Sequence, residues 1–211
     1  MTGDLMIRML TAGAYAEAVT GLGEVLADAV ADGASLGFRD PFDPAQAADW
    51  WRSRQHAVAD GSLTVWAAYS PAGVVGTVSL ASEPKPNGRH RGEVLKLIVH
   101  RAARGRGLGR ELLTTAERAA AERDLTLLLL DTATGSPAER LYETAGWTRY
   151  GIVPDYAADP AGVLEDCTFF YKRLDVMRAA FMPTREELRS RDMTLGLAHP
   201  EPRHPGARRR R

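Results

Sequence analysis

Six residues, Arg104-Gly-Arg-Gly-Leu-Gly109, lie between the apolar run Glu93–His100 and a stretch carrying leucine and alanine at helical spacing. Glycines let the main chain approach a ligand closely and turn several N–H groups one way. The unpaired N–H groups and partial positive charge of a helix start complete an anion site. Phosphate is the expected guest, although a plain glycine turn ahead of a helix reads the same way. A Walker A loop needs Gly-Lys-Ser/Thr at its end; Gly109 is followed by Arg110-Glu111, which excludes it. A dinucleotide fingerprint is met at Gly105 and Gly107 but not at the third position, which is Arg110. Asp131 lies roughly where a ribose-binding carboxylate would stand, so that reading stays open.

The elements that must position these groups follow from periodicity and breakers. Leu5–Met9 reads as a short strand. A helix is predicted over Ala12–Asp32, from Val19, Leu22, Val25, Leu26 and Val30, and Gly33 ends it. After the loop SLGFRDPFDP, Asp43-Pro44 opens a second helix that continues to about Ala59. Leu63–Tyr69 and Val74–Ala81 form a hairpin, Glu83–Gly92 is a polar loop, and Glu93–His100 is the next strand. The helix Gly107–Arg123 leads to Leu125–Asp131, whose unbroken apolar run marks a strand covered on both faces. Strand, helix and strand make a βαβ unit with parallel strands. Ser136–Ala145 is a short helix, and Trp147–Val153 with Cys167–Leu174 a final strand pair.

In this frame Glu93 starts one parallel strand and Asp131 ends the other, so both can face the region between them. A carboxylate there can act as a proton acceptor, directly or through water. Each also has a structural reading: a solvated charge for Glu93, a cap of the Thr132–Ser136 turn for Asp131. Tyr142 can donate a proton from its phenol or serve as a core tyrosine with its hydroxyl at the surface. Phe38, Trp50 and Trp51 can line a pocket or the core, and His90 and His100 flank the strand. Cys167 reads as a small buried hydrophobe.

Composition narrows the classes. Among 211 residues, 45% are hydrophobic and 26% charged, which describes a globular chain and excludes a wholly disordered one. Lys+Arg and Asp+Glu are 27 each, so no global field draws the molecule to nucleic acid or membrane. A single cysteine excludes an internal disulfide and a cysteine-based zinc cage. Without a leader-like or membrane-spanning run, a reduced cytoplasmic location is expected. The basic charge concentrates in residues 175–211, where nine Arg face five acidic residues. This Arg- and Pro-rich extension, ending in RRRR, is expected to be largely flexible. Residues 1–174 form the expected domain.

Arg104-x-x-Gly107-x-Gly109 after EVLKLIVH resembles the pyrophosphate loop of the GNAT superfamily of N-acetyltransferases, Gln/Arg-x-x-Gly-x-Gly/Ala. AERLYETAGW (Ala138–Trp147) resembles that superfamily's second marker, A-x-x-L-Y-x-x-x-G-F/W. The segments PNGRHRGEVLKLIVHRAARGRGLGREL, LLLLDTATG, AERLYETAGW, TFFYKRL and ADGASLGF are similar to the group typified by tabtoxin resistance protein. The resemblance spans roughly 170 residues and implies a mixed α/β GNAT fold: a central twisted sheet of six to seven strands with helices on both faces.

What the resemblance implies chemically is transfer of an acetyl group from acetyl-CoA to a primary amine of a small molecule, such as an amino acid-like toxin or antibiotic. No metal is implied. Glu93 and Asp131 match residues implicated as bases, and Tyr142 matches the acid. Main-chain groups of Leu97, Ile98 and Val99 would pair with the pantetheine arm. N–H groups across Arg104, Gly105, Arg106, Gly107, Leu108 and Gly109 would hold the pyrophosphate, with side chains of Arg104, Arg106 and Arg110 adding charge-assisted contacts. The Asn that many superfamily members carry seven residues before the tyrosine is Gly135 here, leaving Thr134 or Ser136 to replace its contact. The expected partner is the amine alone, without membrane or nucleic acid; a homodimer is compatible with this. The alternatives are a Rossmann-like dinucleotide binder, or a non-catalytic GNAT-fold binder that docks polyanions through the basic tail.

Overall fold

A computed structural model describes residues 5–175. Apart from Asp175, the 175–211 extension lies outside the described residues. The elements in order are β1 (Met6–Met9), α1 (Ala12–Ala31), α2 (Pro44–Arg52), α3 (Gln55–Ala59), β2 (Leu63–Ser70), β3 (Gly73–Ser82), β4 (Arg91–Val99), α4 (Leu108–Ala121), β5 (Leu127–Ala133), α5 (Pro137–Thr144), β6 (Thr148–Ala158) and β7 (Leu164–Arg173). The helix expected from Pro44 to Ala59 is two helices, broken at Ser53–Arg54. The final strands are longer than the apolar pattern predicts, because β6 is exposed along most of its length and shows no period.

One seven-stranded sheet runs in the order β1-β2-β3-β4-β5-β7-β6. Only β4 and β5 pair in parallel; every other neighbour is antiparallel. That excludes the doubly wound parallel sheet a dinucleotide-binding fold needs. Strand alternation sends side chains to two cores. Leu63, Val65 and Ala67 of β2 pack under α1 and α2, while Trp66 and Ala68 join α4 and α5 on the other face. Trp51 is fully buried and donates from Nε1 to the Leu22 carbonyl at 3.0 Å, so it belongs to the core. No described helix is long and apolar enough to cross a membrane.

The β4 strand breaks the alternation. Val94 packs on the α4 face; four residues on, Ile98 packs on the α1 face, and Leu97 and Val99 turn to α4 instead. The cause is a bulge. Thr77 and Ser79 of β3 pair with Ile98 and Leu95, so β4 holds one residue more than its partner. Lys96 takes the strain in a left-handed conformation, φ 49°.

Candidate active site

The parallel pairing of β4 and β5 ends almost where it begins. Arg91, Gly92 and Glu93 pair with Leu127, Leu128 and Leu129, and beyond that the strands part. Along residues 94–99, the backbone groups that face β5 therefore have no strand partner. Leu97, Ile98 and Val99 all lie on this edge. A bound extended chain can take up such groups, which would otherwise face only water.

Glu93 occupies the last paired position, and Asp131 follows its partner Leu129 by two residues, so both carboxylates share one sheet face. A cavity of about 300 Å³ opens at this notch, lined by β4, β5, α5, β6, β7 and residues 35–37. Asp131 and Tyr142 line it; Glu93 is exposed and not part of the lining, one residue before Val94, which is, and close enough to feel Asp131. Loss of solvation, then repulsion from Asp131, raises the Glu93 pKa above the ordinary carboxylate value; Lys96 opposes the shift.

Tyr142 reaches the cavity from the opposite face. Its ring is 5% exposed, tilted against Trp147 at 6.0 Å and Phe170 at 5.9 Å. Burial, then the charge of Asp131, pushes its phenol well above the usual value, so the hydroxyl stays protonated throughout the neutral range. Among the described residues its hydroxyl makes no hydrogen bond to protein, and the side chain lines the cavity.

The glycine loop leads into α4 through left-handed glycines and an uncapped helix start. Thr11, Asp43 and Ser136 cap the starts of α1, α2 and α5 with side-chain oxygens. Helix α4 starts on Gly107 with no side-chain cap, which leaves its first N–H groups available. Gly105 (φ 76°) and Gly107 (φ 81°) are left-handed, a conformation costly for any side chain. Gly107→Val should weaken acetyl-CoA binding about tenfold or more through this strain, read by calorimetry, with secondary structure retained by circular dichroism.

The loop arginines divide. Arg104 donates from Nε to the Val99 carbonyl at 2.9 Å and pairs with Asp32, so its side chain fastens the loop to the end of α1. Arg110 donates to Thr144 Oγ1 at 2.5 Å, tying α4 to α5. Arg106 has no such tie among the described residues. At Gly135 (φ 80°) the backbone N–H donates to Glu139 Oε2 at 2.6 Å. Thr134 bonds Thr168, and Ser136 caps α5 and contacts Thr132, so both hydroxyls already hold the β5–α5 turn.

Several cavity residues escaped the sequence reading. Cys167 is buried, but its Sγ lies 3.2 Å from Asp131 Oδ2 and 3.2 Å from the Thr132 carbonyl. Desolvation and Asp131 push the thiol up to about 12, so it remains a neutral donor to Asp131 and not a nucleophile. Tyr156 comes from the exposed strand β6, and Glu165 and Asp166 from the start of β7. Lys96 was legible only as a charge inside an apolar strand, in a chain with three lysines. His100 lies 3.5 Å from Asp28 and His90 lies outside the cavity lining; neither joins the carboxylates.

Solved structures share this architecture. Ribosomal-protein-alanine N-acetyltransferase from Brucella melitensis is 26% identical, with TM-score 0.65, over 80% of this chain and 99% of that one. A Salmonella typhimurium protein solved with its cofactor acetyl-CoA is 23% identical, TM-score 0.65, over 83% and 96%. A phosphinothricin acetyltransferase from Sinorhizobium meliloti, in complex with acetyl-CoA, is 18% identical, TM-score 0.66, over 88% and 95%. The acetyltransferase (GNAT) family matches residues 26–147, a span that contains α4 with its glycine loop, both carboxylates and Tyr142. With the parted β4 and β5 strands and the uncapped α4, that match establishes that the chain belongs to the acetyltransferase (GNAT) family, whose co-substrate is acetyl-CoA.

Proposed function

We propose that this chain transfers acetyl from acetyl-CoA to a primary amine of a small molecule by direct attack, with Glu93 and Asp131 as proton acceptors and Tyr142 as proton donor. The observation that supports this is that Asp131 and Tyr142 line one cavity from opposite sheet faces, with Glu93 on the Asp131 face at the last paired position of β4. Acetyl-CoA supplies an activated acyl group on a thiol leaving group. The free edge of β4 at Leu97, Ile98 and Val99 would hold its pantetheine arm. The uncapped start of α4 and the Gly105–Gly109 amides would hold its pyrophosphate, with Arg106 the nearest uncommitted cation.

The carboxylate pair takes the proton that an ammonium must lose before its nitrogen has a lone pair to attack with. Loss of solvation, then repulsion from Asp131, makes Glu93 a stronger proton acceptor than an isolated glutamate. Tyr142 gives its proton to the departing sulfur. The nitrogen loses its second proton as the amide forms, which restores the phenol through solvent, and the carboxylate releases the first. Each cycle thus yields the amide, the free thiol and one proton. Holding both reactants at the notch removes the entropic cost of their encounter. Resemblance to the tabtoxin-resistance group favours an amino acid-like toxin or antibiotic as acceptor.

A panel of amines mixed with acetyl-CoA and the full-length protein, followed by free-thiol release, tests this. Amine-dependent thiol release is the expected result. Calorimetry with acetyl-CoA and desulfo-CoA separates the steps: no heat from either overturns the reading, and binding without transfer to any amine overturns the catalytic part.

A further inference from the structure

Lys96 is a cation set at the β4 bulge, and its side chain crosses to the segment between α1 and α2. Nζ donates to the Leu36 carbonyl at 2.9 Å and lies 5.6 Å from the Phe38 ring centre and 5.2 Å from that of Trp50. Phe38 meets Trp50 edge-on at 5.6 Å and stacks on Phe42 at 4.2 Å, so the two rings are held in place. The same segment is fastened at the far side of the cavity. Ser35 Oγ reaches the Ala158 carbonyl at 3.4 Å, and the Asp40 N–H donates to the Pro160 carbonyl at 3.0 Å. Residues 35–40 thus form a strap from β4 to the β6–β7 connection. Ser35, Leu36 and Gly37 line the cavity beneath it.

We propose that Lys96 is a positioning residue: its ammonium pins the 35–40 strap over the acceptor side of the notch and sets a positive charge in the cavity that Asp131 lines, next to Glu93. This rests on the reading of those carboxylates as proton acceptors. The left-handed backbone is a cost that a strand lysine does not ordinarily bear, and here it aims the side chain at the strap. Two aromatic faces and a carbonyl suit an ammonium held in one place.

The charges around the pair are few. Glu93 faces Asp131 from β5, Lys96 from β4 and Glu83 from the β3–β4 connection. Lys96 faces Asp131, Glu93 and Arg54. Glu165, Asp166 and the neutral Tyr156 complete the lining from β6 and β7. Burial lowers the Lys96 pKa, and the carboxylates act against that. Lys96 and Glu93 therefore support each other's charge.

The test compares full-length wild type with Lys96→Met and Lys96→Arg. Amide exchange in residues 33–42 should quicken about tenfold or more in Lys96→Met, with the rest of the sheet unchanged. The Glu93 carboxyl, followed by ¹³C NMR and assigned with Glu93→Gln, should titrate about half a pH unit or more higher in Lys96→Met. Lys96→Arg should keep the midpoint near wild type. Unchanged strap exchange, or an unmoved midpoint, overturns the proposal. Should Lys96→Met fail to fold, Phe38→Leu removes one face of the cage and keeps the charge. It must loosen the strap and leave the Glu93 midpoint in place, and any other pattern overturns the proposal. Absent acetyl-CoA binding by the wild type would sink the acetyltransferase reading alone, since neither comparison uses the co-substrate.

Discussion

Replacing Tyr142 with Phe is expected to lower kcat about 100- to 1,000-fold while acetyl-CoA affinity stays within about twofold. The variant keeps the ring that packs on Trp147 and Phe170, so the α5 face of the core is preserved. It removes only the hydroxyl, which has no protein partner among the described residues and whose side chain lines the cavity. Removing it leaves no buried group unsatisfied, so loss of activity cannot be ascribed to unfolding. The deficit should appear in kcat and not in acceptor KM, because the proton reaches the sulfur only as its bond to carbon breaks. Saturating steady-state kinetics, with calorimetry for the co-substrate, checks this; unchanged turnover removes Tyr142 from the acid role.

The carboxylate pair gives the second large effect. Glu93→Gln and Asp131→Asn should each lower kcat/KM about 100-fold or more near neutral pH, and the double variant less than their product, since the two act as one acceptor. The wild-type profile should fall on the acid side with a midpoint above the usual glutamate range, because desolvation and Asp131 raise the Glu93 pKa. Asp131→Asn should move what remains of that limb to lower pH. Stability runs the other way. A carboxyl whose pKa is raised on folding contributes stability below its unfolded pKa and loses it as pH climbs through the raised value. Glu93→Gln, a permanent stand-in for the neutral acid, should therefore raise Tm near about pH 8 and confer no gain near about pH 4. Thermal melts at the two pH values decide it. An equal Tm change at both would place Glu93 in bulk solvent and remove it from the pair.

Much of this was written in local sequence. Helical spacing and Gly33 fixed α1, the unbroken LTLLLLD run marked β5, and RGRGLG marked the start of α4. These signals are short-range: a helix stripe, a doubly covered strand and a left-handed glycine each depend on residues a few positions apart. The apolar pattern falls short of the end of β6 and the start of β7, because β6 is largely exposed and β7 begins exposed before Cys167, and exposure erases the alternation that reveals a strand.

By itself the sequence determined the order of elements, the family markers and the residue types able to move protons. Only the tertiary structure decided which of them meet. The β4 bulge is invisible in EVLKLIVH, because it arises from pairing β4 with β3 across the sheet. It alone turns Ile98 away from Val94's face and swings Lys96 onto Leu36, 60 residues away in sequence. The Arg104 side chain likewise meets Asp32, a partner 72 residues away in sequence that no local pattern announces. Partners distant in sequence leave no periodic trace, since what joins them is packing and electrostatics in the folded chain.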